Sequence, residues 1–286
     1  MAENQPSPEQ ILQAIEATGF LMEQRVATQL EALGFHVWTG YPFEDPEESK
    51  SREIDVRGYL QPYHDVQAKL SVNVELICEC KNADNPFVFI TRRKGEHDND
   101  RFSPCQFLLP FNTYETREGN ITYERSGLRH FNLHKCHYFY ADNSKAVQFC
   151  KMARKGKDWE ANQGGIYDAI FYPLAKAVVA TRKEDERLRN PRDPSDWKNV
   201  TLIFPIVVLH GKIYQIDSMS EPLEAREVSH VSFIRELSSK AVSGQFLLDF
   251  TTEEGIPNFI KNKIFPFVDC VVDELKLAGD KLGKRM

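Results

Sequence analysis

The segment from Val72 to Lys81 constrains the fold more than any other part of the sequence. Strict alternation over ten residues is typical of a β-strand, whose successive side chains point to opposite faces of a sheet. The two alternating sets are Val72, Val74, Leu76, Cys78, Cys80 and Asn73, Glu75, Ile77, Glu79, Lys81. The chain must therefore build a sheet around this strand, with Glu79 and Lys81 on one face.

Neighbouring segments supply the rest of an α/β pattern. Ser7, Pro8 and Gln10 form a capping box with a first-turn proline, which predicts a helix from there to about Leu33, with Gly19 as a candidate break. Further strands are predicted at 35–41, 53–59, 136–140, 200–208, 212–216, 228–234 and 246–250, and further helices at 144–154, 166–181 and 256–277. We predict an α/β domain with a central mixed β-sheet flanked by helices, and a hairpin turn at His210.

Length and composition indicate an ordinary globular chain. Its 286 residues suit one decorated domain or two small ones, with 41% hydrophobic and 27% charged residues. No apolar run approaches the roughly 20 residues of a membrane span, and the start MAENQPSPEQ lacks the features of a secretory signal. We expect a cytoplasmic protein with no membrane segment.

The six cysteines form no CxxC pair, so reduced thiols are expected. The nearest approach to a zinc motif is the group His130, His134, Cys136 and His137. Its spacing fits no common zinc pattern well, and scattered polar residues of an insertion are the favoured interpretation.

The formal net charge of -6 argues against a strong, self-sufficient electrostatic grip on nucleic acid, although it leaves room for a local basic groove. Candidate basic patches are Arg92 to Lys94, Lys151 to Lys157, and Lys261 with Lys263. Each, taken singly, is more typical of a solvated face.

Glu79 and Lys81 project from one face about 7 Å apart at the backbone. If the strand 53–59 pairs alongside with Asp55 turned the same way, two carboxylates and an ammonium converge, and a hard divalent cation is their natural partner. Glu23, three residues before Val26 on a helical apolar stripe, can reach the same place. The alternatives are a salt-bridged, solvated sheet face without metal, and for Glu23 a solvated edge position.

These residues resemble the PD-(D/E)XK, restriction-endonuclease-like nuclease superfamily. The resemblance lies in a helix with Glu23, the strands REIDV and VELICECK, the helix GGIYDAIFYPLAKAVVA and the strand pair VTLIFPIVVLHGKIYQID. It covers roughly residues 10–90 and 164–217. Ile54 stands where a proline is frequent, and no glutamine lies two residues before Lys176, where some subgroups place further polar catalytic residues.

The resemblance implies Asp55, Glu79, Lys81 and Glu23 as catalytic residues. It implies Mg²⁺ or Mn²⁺ held by Asp55, Glu79, the backbone carbonyl of Cys80, and Glu23 through a water. Lys81 would orient the attacking water or stabilise the transition state. We expect a single decorated domain over residues 1–286, with an insertion at about 92–135 and a C-terminal strand and helix region at 218–286.

The expected function is DNA cleavage by an endonuclease, with RNA as the alternative substrate. Microbial defence or DNA processing is the setting that the resemblance suggests. The acidic charge suggests targeting or activation by a partner protein or a homo-oligomer. A catalytically silent binding or scaffold module is the main alternative, and a sensor whose 92–135 insertion binds a ligand is a weaker one.

Overall fold

The computed structural model describes residues 5–82, 84–188 and 197–284, and within them every side chain except that of Tyr167. The helices are α1 Pro8–Thr18, α2 Phe20–Glu31, α3 Gly127–His130, α4 Tyr138–Ala141, α5 Tyr172–Leu188, α6 Ile256–Phe259 and α7 Phe265–Ala278. The strands are β1 His36–Glu44, β2 Ser51–Asp65, β3 Leu70–Lys81, β4 Phe87–Arg93, β5 Phe107–Leu108, β6 Thr113–Glu118, β7 Ile121–Ser126, β8 Ser144–Lys155, β9 Asp158–Asn162, β10 Lys198–Leu209, β11 Ile213–Asp217, β12 Ala225–Val228, β13 His230–Ser238 and β14 Ser243–Thr252.

The first two helices begin and end where the sequence predicts. The Ser7 hydroxyl accepts from the Gln10 amide at 3.3 Å, and the Gln10 side chain accepts from the Ser7 amide at 2.9 Å. Gly19 separates α1 from α2 with a φ of +87°, a left-handed conformation that favours glycine. The capping box and the break at Gly19 are therefore confirmed.

A seven-stranded mixed sheet forms the centre of the molecule, in the order β1-β2-β3-β10-β14-β13, with β5 beside β10. Strands β1, β2 and β3 are antiparallel neighbours, whereas β10 runs parallel to β3 and β14 runs parallel to β10. A parallel pair needs a crossover, and α5 lies in the stretch between β3 and β10. The predicted α/β class with a mixed sheet flanked by helices is confirmed.

Both faces of this sheet are covered, which explains the continuous apolar run of β10. Leu202, Phe204 and Ile206 pack with the buried side of α2 and with α7. Ile203 and Val207 face the opposite side, where they join the buried residues of α5. Strand β10 thus lies at the centre of two hydrophobic cores and fixes the position of β3 beside it.

A second, five-stranded sheet continues from the first, in the order β12-β11-β4-β8-β9. Strand β4 follows β3 along the chain and β11 follows β10, and β4 and β11 are again parallel neighbours. His210 therefore lies where the chain passes from one sheet to the other. The predicted hairpin turn at His210 is wrong, because β10 and β11 do not pair with each other.

Two further predictions between β4 and β10 are wrong. Residues 144–154 form strand β8, because they pair with β4 on one side and β9 on the other. Residues 136–140 form the end of a 3₁₀ turn and helix α4. The predicted insertion at about 92–135 contains β5, the β6–β7 hairpin and α3. Helix α5 continues to Leu188, beyond the predicted end at residue 181, and residues 189–196 lie outside the described part.

The C-terminal helix is confirmed as a continuous run of α6, a π-helical turn at Ile260–Ile264 and α7. Cys270 of α7 forms a disulfide with Cys136, across a sequence separation of 134 residues. The expectation of reduced thiols is therefore wrong for this pair. Cys78, Cys80, Cys105 and Cys150 are free thiols. No helix in the described ranges has the length and apolar character needed to span a membrane.

Candidate active site

The site begins where β2 and β3 part. Their last register pair at this end is Val56 with Cys78. Beyond it, the Asp55 carboxylate accepts a hydrogen bond from the Cys80 amide at 2.7 Å. Because the amide and carbonyl of one strand residue point to the same edge, the Cys80 carbonyl faces this opening as well. The parting of the strands thus presents a carboxylate and a main-chain carbonyl together.

Glu79 and Lys81 lie on one face at the end of β3, as their spacing predicts. The Lys81 ammonium donates to the Glu79 carboxylate at 2.6 Å, and both side chains are partly accessible. The Lys81 carbonyl accepts from the His210 amide at 3.1 Å, so the backbone at Lys81 is held by the start of the crossing into the second sheet. The ammonium is oriented by Glu79 and still reaches solvent.

Helix α2 brings Glu23 to the same place. Its carboxylate is half-buried and interacts electrostatically with Asp55, Glu79 and Glu53. The α1–α2 corner lies directly on the end of β3, because a Cβ at Gly19 would be 3.3 Å from the Asn82 side chain. The Asn82 amide also donates to the carbonyl of Glu16 at 2.5 Å. This packing explains why Glu23 faces the site rather than open solvent.

Burial, together with like charges nearby, raises the pKa of each carboxyl group at the site. Burial raises the pKa of Asp55, and the Cys80 amide and Lys81 offset that only in part. Burial raises the pKa of Glu79, and Asp55 raises it further. Burial and the neighbouring acids also raise the pKa of Glu23. Three carboxylates held near one ammonium favour the arrival of a cation.

Glu53 is a fourth acid that the sequence predictions missed. Its negative charge contributes to the raised pKa of both Asp55 and Glu23. The signal was present in the sequence, because residues two apart on a strand share a face and Glu53 precedes Asp55 by two. Arg57, two residues after Asp55, binds Glu75 and Glu184 instead.

The donor set fits a hard divalent cation in chemistry. In the part of the chain that the structure describes, no three His, Cys, Asp or Glu side chains are close enough to hold a metal ion together. Mg²⁺ does not need three, because one or two carboxylates, waters and substrate phosphate commonly complete its shell. Asp55, Glu79 and the Cys80 carbonyl are the groups that would hold it, with Glu23 able to act through water.

A groove of about 1020 Å³ lies where the chain passes from β10 into β11. Arg25, two residues after Glu23, lines it together with His210 and Glu253. The Glu253 carboxylate accepts from Arg25 at 3.1 Å and lies 3.5 Å from His210 Nδ1. Arg25 therefore lowers the pKa of Glu253. None of the four predicted site residues lines this groove.

The zinc alternative finds no support in the geometry. Cys136 is in a disulfide, and His137 is fully buried with its Nδ1 accepting from the Phe139 amide at 3.1 Å. Burial lowers the pKa of His137 to about 3, so its ring is neutral. Tyr138 and Phe139 are buried core residues. Cys78 is a core thiol, whereas Cys80 is only partly buried.

The three predicted basic patches lie on different elements. Arg92 and Arg93 are exposed at the end of β4, while Lys94 is half-buried and donates to the carbonyl of Phe139. Lys261 and Lys263 are exposed on the π-helical turn before α7. The run 151–157 lies on the β8–β9 hairpin.

No protein-family model, no curated protein and no solved structure was found to match this chain.

Proposed function

We propose that this chain is a metal-dependent nuclease that hydrolyses phosphodiester bonds in DNA. The observation that carries the proposal is the convergence of Asp55, Glu79 and Lys81 where β2 parts from β3. An arrangement with excess acid, an accessible ammonium and a free carbonyl edge suits a phosphate ester bound through a cation.

The order of elements supports the restriction-endonuclease-like part of the proposal. Helix α2 precedes three antiparallel strands, α5 follows, and β10 returns parallel to β3. This order contains the helix, two strands, helix and later strand that the sequence resemblance implies, with β1 as an additional strand and with the implied strand pair divided between two sheets as β10 and β11. The second sheet and the C-terminal helix are additions around that order.

The chain's own residues have distinct roles in this proposal. Asp55, Glu79 and the Cys80 carbonyl would hold Mg²⁺ or Mn²⁺, which lowers the pKa of water and stabilises charge on phosphorus. Lys81 donates a hydrogen bond to the attacking water or to a phosphate oxygen, and Glu79 keeps its ammonium in place. Glu23 orients water from the side of α2.

The test is cleavage of plasmid, linear and single-stranded DNA, and of RNA, by wild type and Lys81→Ala protein with Mg²⁺, Mn²⁺ or EDTA. Lys81→Ala should lower the rate by about 10²–10³, since it removes a fixed donor at the reacting centre. Lys276→Ala is the matched control, because Lys276 is an α7 lysine that also pairs with an acid, Asp273, at 3.4 Å. Cleavage that survives Lys81→Ala would refute this site.

The second candidate is a catalytically silent module that binds nucleic acid or a partner protein, or assembles with copies of itself. One observation favours it: Lys81 pairs with Glu79 and Asp55 binds the Cys80 amide, so three of the four predicted catalytic groups already have an internal partner. Failure of the wild type to cleave any substrate with either metal, together with retained binding, would support this module over the nuclease.

A further inference from the structure

The β8–β9 hairpin extends beyond the second sheet as a two-stranded ribbon. Strand β8 pairs with β4 up to the register pair Lys151 and Phe87, where β4 begins. From Lys151 to Lys155, β8 pairs with β9. We call residues 151–162 the arm. Four residue steps of strand correspond to about 13 Å, so the ribbon projects well past the start of β4.

The base of the arm is attached to the segment that follows Lys81. The Met152 amide donates to the Pro86 carbonyl at 2.8 Å, and the Asn85 side chain donates to the Met152 carbonyl at 2.7 Å. Strand β4 leads away from this segment and β8 runs antiparallel to β4. The arm therefore points back toward the end of the first sheet at which the candidate active site lies.

The charge of the arm differs from that of the chain. The arm has a formal charge of +2, whereas the whole chain has a net charge of -6. It contains four basic residues, Lys151, Arg154, Lys155 and Lys157, and two acidic residues, Asp158 and Glu160. Lys155 pairs with Glu160 at 2.6 Å. Arg154 lies 5.6 Å from the ring centre of Trp159, a large aromatic side chain that is 52% exposed. Exposed aromatic and basic groups together suit a nucleic-acid contact.

We propose that the arm binds duplex DNA beside the candidate active site, with Arg154 and Lys157 contacting phosphates. This inference rests on the proposed nuclease function, whose substrate class it specifies. The major groove of B-form DNA admits a two-stranded β-ribbon, whereas the major groove of an RNA duplex is too narrow for side chains to read. The exposed Trp159 lies on the ribbon where it can contact the groove wall.

The test measures binding of a short fluorescein-labelled DNA duplex by anisotropy, using the full chain in EDTA so that no cleavage occurs. Arg154→Glu with Lys157→Glu should weaken binding about tenfold or more and lower the salt slope by about 2, since each lost phosphate contact contributes about 0.9. The control is Lys276→Glu with Lys281→Glu, which makes the same charge change at exposed lysines. Lys276 lies over the Tyr63 ring, which pairs near the start of β3 at the opposite end of that strand from Lys81, so this variant should bind like wild type.

The variant Arg154→Gln with Lys157→Gln removes both charges but keeps side chains that can donate hydrogen bonds, and it should lose an intermediate amount of DNA affinity. A folding defect of the charge-reversal variant would therefore not hide the effect. Equal binding by the arm and control variants would overturn the inference. So would the absence of duplex binding by wild type, or tighter binding of duplex RNA or single-stranded DNA.

Failure of the arm and failure of the nuclease are distinguishable. If wild type binds duplex DNA through the arm but cleaves nothing with Mg²⁺ or Mn²⁺, DNA binding by the arm is supported and the proposed nuclease activity is refuted. If wild type cleaves DNA and the arm variants bind and cleave it equally well, DNA binding by the arm is refuted and the proposed nuclease activity is supported.

Discussion

Strands β2 and β3 carry two groups of charged residues that differ in how their carboxylates are paired. Arg57 donates to both carboxylate oxygens of Glu75, at 2.8 and 3.0 Å, and to Glu184 at 3.1 Å. Nearer the end of β3, Asp55 and Glu79 face one ammonium and further acids. In the first group the guanidinium binds both carboxylates directly, although burial still raises the pKa of Glu75. In the second group three carboxylates share one ammonium, which donates to Glu79. We expect the first group to stabilise the fold and the second to be the place where the proposed cation binds.

The ion pair of Arg57 and Glu75 should show the larger effect on stability when it is broken. Arg57→Met leaves the buried Glu75 carboxylate without its bidentate partner, and we expect a loss of about 3–5 kcal/mol in the free energy of unfolding. Urea denaturation measures it. Arg57→Met with Glu75→Met removes both charges and should recover most of the loss. A loss below about 1 kcal/mol for Arg57→Met alone would show that the pair is not structural.

Divalent cations should stabilise the folded chain through the site that contains Asp55 and Glu79. Mg²⁺ or Mn²⁺ at about 100 times its Kd should raise the free energy of unfolding by about 2.7 kcal/mol, because only the folded chain gathers the carboxylates. Thermal unfolding with and without EDTA measures this without any need for turnover. Asp55→Asn with Glu79→Gln should abolish the rise, and Asp273→Asn, an exposed acid of α7, should retain it. A rise that survives in the double variant would place the cation elsewhere.

The smallest expected effect is a gain in stability from removing one acid in EDTA. Asp55→Asn keeps an acceptor for the Cys80 amide and removes a carboxylate whose pKa is raised by burial, so we expect a gain on the order of 1 kcal/mol at neutral pH. A raised pKa means that the wild type loses stability as the pH rises through the folded value. The gain should therefore be small near pH 4, the ordinary range of the carboxyl, and grow as the pH increases.

Denaturation of wild type and Asp55→Asn across that range measures the difference. A gain that is constant with pH, or a loss at neutral pH, would mean that the Asp55 carboxylate is stabilising in the folded chain.

Local signals made part of the fold predictable. The alternation of β3, the apolar run of β10 and the capping box at Ser7 each depend on near neighbours in sequence, and all three are confirmed. The approach of Asp55, Glu79 and Lys81 was predictable as well, because strand periodicity fixes which residues share a face. Glu53 obeys the same rule and was overlooked.

Other parts depend on partners distant in sequence. Strand β8 was expected to be a helix, and it is a strand because β4 and β9 pair with it. The partner of Cys136 lies 134 residues away, and a cysteine pairing cannot be deduced from sequence alone. The chain leaves β10 for another sheet at His210. The sequence there resembles an ordinary turn, because Gly211 follows His210.

The passage of two neighbouring strands from one sheet to the other has a mechanical consequence. Lys81 is joined to Phe87 by residues 82–86, and Leu209 is joined to Ile213 by three residues. A force applied to the second sheet therefore reaches the end of β3 along the covalent chain, as tension, in addition to any force passed through the packing of Phe89 and Phe149 against Phe250. The two short links act as tethers, and the ion pair of Glu79 and Lys81 lies at the anchored end of one of them.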